Sequence, residues 1–109
     1  MKKAEQKAIN SAVETAYNNF FSQFVTPNYV RDCVLENGVR LRNCNAYVGR
    51  FGKGIALVSY RTLVAIIDND GNGYDFLRMV YGYTATSAKQ ISKFFTDYNA
   101  SNRMTWREV

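Results

Sequence analysis

The feature that most restricts what this chain can fold into is a change of hydrophobic period. From Asn28 to Met79 apolar residues recur at every second position, and clusters of turn residues interrupt them at near-regular intervals. That is the pattern of an antiparallel meander. On either side of it the period is helical. From Lys3 to Phe24 the apolar residues Ala4, Ala8, Ile9, Ala12, Val13, Ala16, Tyr17, Phe20, Phe21 and Phe24 form two adjacent rows spaced four apart. Lys3, Gln6, Lys7, Asn10, Glu14 and Asn18 make the opposite face, which reads as solvated. Pro27 closes the helix, because proline removes a donor and restricts the residue before it. The apolar face is wider than one small sheet covers, which leaves room for a homodimer.

Within the meander, Tyr29–Leu35 is the first expected strand, and Glu36-Asn37-Gly38 the turn after it. Val39–Arg42 alternates apolar and basic side chains. Ala46–Phe51 and Ile55–Tyr60 flank the Gly52-Lys53-Gly54 turn. Thr62–Asp68 is the most apolar run and is expected at the centre of the sheet. Tyr74–Tyr81 is the last expected strand. Ser87-Ala88-Lys89-Gln90 matches a capping box, and Ala88, Ile91, Phe94, Phe95 and Tyr98 continue it as one apolar face. A tail carrying Met104 and Trp106 follows. The expectation is a single α+β domain over residues 1–109. It comprises a helix over 3–24, a β-meander of five to six strands over 29–81, a helix over 87–98 packed on the sheet, and a tail over 100–109. Both helices are expected on one face of the sheet.

Charge is unevenly placed. The chain has 14 lysines and arginines against 9 acidic residues, a net charge of +5. No acidic residue occurs from Asn37 to Ile67, and that segment holds Arg40, Arg42, Arg50, Lys53 and Arg61. The rest of the chain is electrically balanced. Such segregation favours an anionic partner. Gly49-Arg50-Phe51-Gly52-Lys53-Gly54 is the sharpest candidate within it. Its glycines let backbone N–H groups face an anion, and Phe51 offers a stacking ring. Tyr47, Arg40, Arg42 and Arg61 extend the expected site. The plainer reading is a glycine-rich hairpin with solvated charges.

Several function classes lose support. The chain has no histidine, hence no histidine base, triad or histidine zinc site. It has neither a phosphate-binding P-loop nor a dinucleotide fingerprint. The expectation is a non-enzymatic protein without metal or cofactor. Asp68-Asn69-Asp70-Gly71-Asn72-Gly73 opens like a calcium loop, but Met79 stands where the closing glutamate belongs, so a hairpin loop is the better reading. Cys33 and Cys44 read as half-buried thiols in a reducing compartment. No apolar run reaches spanning length, and the lysines at the start have no apolar stretch behind them. A cytoplasmic protein without membrane contact is therefore expected. The eight tyrosines suit either half-buried sheet packing or an interface.

The segments Ser59-Tyr60-Arg61-Thr62-Leu63-Val64-Ala65, Asp70-Gly71 and Tyr81-Gly82-Tyr83-Thr84-Ala85-Thr86-Ser87-Ala88-Lys89-Gln90 share a pattern. It resembles a family of short bacteriophage and mobile-element proteins, whose core reads Y-x-T-x-V-A, a hairpin, then Y-x-Y-[ST]-x-T-[ST]-x-K-H. Gln90 departs from the frequent histidine of that pattern. The resemblance implies no reaction. It implies a setting, that of accessory factors of the anti-CRISPR type which counter bacterial defence. The expected partner is then a host defence protein, or its nucleic-acid or nucleotide ligand, inside a bacterial cell. A direct nucleic-acid binder is the alternative.

Overall fold

The computed structural model describes residues 2–21, 26–52 and 54–109. The end of the expected first helix, through Phe24, and Lys53 lie outside them. The element order is α1 (Lys3–Phe20), α2 (Pro27–Asn37), β1 (Val39–Arg40), β2 (Ala46–Phe51), β3 (Gly54–Ser59), β4 (Thr62–Asp68), β5 (Gly73–Asp75), α3 (Leu77–Val80), α4 (Ala85–Asp97) and β6 (Arg103–Thr105). The six strands form one sheet in sequence order. All neighbours are antiparallel except β5 and β6, which run parallel. A parallel pair needs a crossover connection, and α3 and α4 supply it. The mixed α+β class read from the sequence is what the chain adopts.

The layering differs from expectation. Helices cover both faces of the sheet, not one. On one face, Ile91, Phe94 and Phe95 of α4 pack on Ala46, Val48, Leu57, Val64, Ala65 and Ile67. On the other, Val13 and Phe20 of α1 and Val30 and Val34 of α2 cover Ala56, Val58, Leu63 and Ile66. A strand buried on both faces is apolar at successive positions, which accounts for the run Leu63–Ile67. A register shift between Leu57 and Val58 pairs Leu57 with Ala65 and Val58 with Leu63. The extra residue, Val64, therefore points to the same side as Ala65.

Three expected elements are corrected. Tyr29–Leu35 is not a strand but most of α2. Thr26 caps that helix by accepting the Tyr29 N–H at 3.2 Å, Pro27 stands in its first turn, and Val30 and Val34, one turn apart, enter the core. A strand there would put Asp32 on the same side as those two valines. Tyr74–Tyr81 is a strand only to Asp75. The Asp75 carboxylate then accepts the Leu77 N–H at 3.0 Å and turns the chain into α3. The last helix is capped by Thr84, which accepts the Ser87 N–H at 3.3 Å. Ser87 and Gln90 instead turn inward and are buried, and both reach the buried Ser59 hydroxyl of β3.

The tail docks as β6, and α1 explains how. Gln6 and Asn10, expected in solvent, are buried. Gln6 Nε2 donates to the Thr105 carbonyl at 2.9 Å. Asn10 donates to the Arg107 carbonyl at 2.6 Å and accepts the Arg107 N–H at 3.0 Å. The two amides stand in for a further strand on the outer edge of β6, where bare backbone groups would invite pairing with another chain. Trp106 completes the dock by donating to Glu14 at 3.3 Å.

Candidate functional site

The described residues among those expected to form one cationic surface are spread over different faces and ends of the fold. Arg40 folds over its own loop, donating to the carbonyls of Cys44 at 2.9 Å and Asn43 at 3.4 Å. Arg42 adopts a left-handed backbone, φ +50°, and grips Asp97 at the end of α4 with two bonds of 2.8 and 2.6 Å. Those bonds hold the Asp97 carboxyl below the usual carboxylate range. Tyr47 and Phe51 are half-buried against the core beneath α1 and α2, with Phe51 6.3 Å from the Phe20 ring. Arg50 alternates with them and projects from the other face, exposed and without a side-chain partner among the described residues. Lys53 lies outside the described residues. Arg61 occupies the β3–β4 turn, exposed and likewise unpartnered among the described residues. Arg50 stands beside the β2–β3 turn, so the length of β3, about 17 Å, separates these two arginines along the sheet.

Two of the three glycines of the expected anion loop, Gly49 and Gly54, serve packing. A Cβ on Gly49 would lie 2.8 Å from Val34 Cγ2, so glycine lets α2 descend onto β2. Gly54 combines φ +144° with a Cβ position 2.1 Å from the Ile67 carbonyl oxygen, a crossing only glycine permits. The Asp68 loop closes on itself as well. The Asp68 carboxylate accepts the N–H groups of Asp70 and Asn72 at 3.0 and 2.9 Å, the Asn72 amide at 3.3 Å and the Tyr74 hydroxyl at 3.2 Å. Among the described residues no group of three or more acidic or cysteine side chains is placed to hold a metal ion. Cys33 and Cys44 are half-buried free thiols. No helix among the described residues is long and apolar enough to cross a membrane.

What the fold gathers is a set of tyrosines and arginines at the β3–β4 end of the sheet. Tyr29, Tyr60, Tyr81 and Tyr83 are all more than half exposed, at 58, 52, 67 and 56%. The Arg78 guanidinium lies 4.5 Å over the Tyr83 ring. Tyr60 holds a left-handed backbone at φ +56°, and its N–H donates to the Asn45 carbonyl at 2.7 Å. Glycine or asparagine is the usual residue at such a hairpin position, and a tyrosine there carries strain. Tyr81 is a ridge between two clefts. One, about 260 Å³, is bordered by Asn28 and Arg31 of α2 and by Arg61 and Thr62. The other, about 300 Å³, is lined with hydroxyls of Ser59, Tyr60, Thr62, Thr84, Thr86 and Ser87.

A larger hollow of about 450 Å³ lies between α1 and the sheet, lined by Ala12, Ala16, Phe20 and Ile66 with Asp68 and Tyr74 at its edge. Its one carboxylate is already committed to the Asp68 loop. Of the residues at the tyrosine end, sequence reading singled out only Arg61 as a site residue. The available signal was the closeness of Tyr81 and Tyr83 in the chain. No family model, curated protein or solved structure matches this chain.

Proposed function

We propose that the chain is a non-enzymatic binding protein that contacts its partner through the tyrosine- and arginine-rich end of the sheet. The partner class suggested by the resemblance to mobile-element proteins is a component of bacterial defence, met in the host cytoplasm, one of whose working surfaces the chain would cover. The observation that carries the reading is the exposed, strained Tyr60 beside Tyr81, Arg61 and the Arg78–Tyr83 pair. Tyrosine and arginine are the residues that concentrate binding energy at protein interfaces. An exposed aromatic in a backbone conformation suited to asparagine persists against a cost of about 1 kcal/mol or more, which points to a role outside the fold. A direct nucleic-acid role has less behind it. It calls for cations in one strip, whereas Arg42 is paired with Asp97 and Arg50 is about 17 Å from the Arg61 end.

The test compares capture from nuclease-treated host lysate by the wild-type chain, Tyr60→Ala, Tyr81→Ala and Arg50→Ala. The expected result is one protein held by wild type and Arg50→Ala and lost from both tyrosine variants. Equal capture by all four chains, or loss of every partner on nuclease treatment, would overturn the proposal.

A further inference from the structure

The smaller cleft beside Tyr81 has a composition of its own. Among the described residues its polar border consists of Tyr17, Asn28, Arg31, Arg61, Thr62 and Tyr81, and no carboxylate lines it. Two guanidinium groups, one amide and three hydroxyls are thus offered around about 260 Å³. Arg61 has no hydrogen-bond or ion-pair partner among the described residues, so its donors are available. Arg31 donates its Nε–H to one oxygen of its neighbour Asp32 at 3.0 Å, with Nη2 ion-paired to the same oxygen at 3.0 Å, and keeps the rest of its fork. The Tyr17 hydroxyl has no hydrogen-bond partner among the described residues. The Tyr81 ring, two-thirds exposed, forms the lip.

Two guanidinium groups facing one small hollow match a doubly charged tetrahedral anion, which arginine forks hold through paired N–H bonds. An aromatic lip gives an attached organic group a surface to lie on. We propose that this cleft binds a phosphate monoester, with the phosphate between Arg61 and Arg31 and the organic part against the Tyr81 ring. The volume takes one phosphate with one small substituent. The ligand is then either a free mononucleotide or a phosphorylated side chain. The proposal stands apart from protein docking, because small phosphate esters test it alone.

The experiment is a titration of the full chain with adenosine monophosphate, phosphotyrosine, inorganic phosphate and uncharged adenosine. Backbone amide NMR shifts supply the readout. At least one phosphate ester is expected to move the resonances of Arg31, Arg61, Thr62 and Tyr81 saturably, and adenosine to bind tenfold or more weakly. Arg61→Ala should weaken the ester by at least tenfold, the loss expected for charge-assisted bonds. Arg61→Lys should retain part of the affinity, and Arg50→Ala, an equally exposed arginine away from the cleft, should change nothing. Preference for the nucleotide identifies a free ligand, and preference for phosphotyrosine a modified protein. No saturable shift at millimolar ester, equal binding of adenosine, or equal losses in Arg50→Ala and Arg61→Ala would overturn the proposal. Capture of a protein through Tyr60 and Tyr81 is unaffected by that failure.

Discussion

Replacing Asn10 by alanine sets two readings of α1 against each other. Taken alone, helix α1 should welcome the change, because alanine is the better helix former by about 0.6 kcal/mol. The structure reverses the sign. The Asn10 side chain is buried and makes three bonds: to the Arg107 carbonyl, from the Arg107 N–H, and from Gln6 Nε2 at 2.8 Å. Each such bond contributes about 1 kcal/mol net. Truncation also takes one of the two acceptors of the Gln6 amide and leaves it the Thr105 carbonyl, while the backbone of Arg107 is near enough to the surface to find water. Subtracting the helix gain leaves a destabilisation of about 2 kcal/mol. For a chain of 109 residues the unfolding entropy is about 0.23 kcal/mol/K, so the midpoint should fall by about 9 °C. Thermal unfolding followed by far-UV circular dichroism measures it. Amide exchange at Thr105 and Arg107 locates it, since the edge of β6 should open first. A midpoint unchanged or raised in Asn10→Ala would refute the account of Gln6 and Asn10 as a strand substitute.

Two further outcomes follow from local chemistry. Burial raises the Asp75 carboxyl above its usual value, against the bond from the Leu77 N–H, so the folded state holds its proton more tightly than the unfolded chain does. Stability should therefore fall as pH rises from the ordinary carboxylate value of 3.8 toward that raised one. Asp75→Asn should flatten that decline and leave neutral-pH stability at or above wild type, measured by urea unfolding from about pH 4 to pH 8. A steeper decline in the variant would contradict the burial argument. At Tyr60, asparagine suits φ +56°, and the strain relieved offsets the contacts of the half of the tyrosine that the fold covers, so Tyr60→Asn should lower stability by less than about 1 kcal/mol. The same variant should fail to retain the protein partner. A loss as large as that of Tyr60→Ala would show that the turn is not strained.

The central sheet was legible because period-two patterning and glycine turns are local signals. The run Leu63–Ile67 was read as the central strand, and the cover on both its sides, which its unbroken apolar character reflects, was not. Helix α2 was missed because the β-branched and aromatic residues at 29, 30 and 34 favour a strand by local propensity. The deciding features were Thr26-Pro27 ahead of it and the awkward charge of Asp32. The second helical layer was hidden for the same reason. A segment taken as a strand cannot also be counted as cover. Gln6, Asn10, Ser59 and Gln90 were beyond periodicity altogether. A polar side chain is buried when a distant backbone or hydroxyl awaits it, and no window of sequence around it records that partner.

The described cationic residues are dispersed for a geometric reason that applies to any meander. Charge counted along a chain becomes charge on a surface only after strand parity and hairpin ends are assigned. Arg50 and Tyr47 differ by an odd number of positions on β2, so they leave opposite faces of the sheet. Arg50 and Arg61 are separated by a turn and a full strand, so they leave opposite ends. By the same reasoning, residues far apart in sequence converge where turns and helix ends stack. Tyr60 and Arg61 from a hairpin, Arg78 and Tyr81 from α3 and its end, and Arg31 from α2 all arrive at one rim of the sheet. A run of basic residues in an antiparallel protein is thus weak support for a basic patch. Tyrosines and arginines drawn from several turns at the same end are stronger support for a contact surface, because their convergence places the exposed Tyr60 and Tyr81 around one pair of clefts.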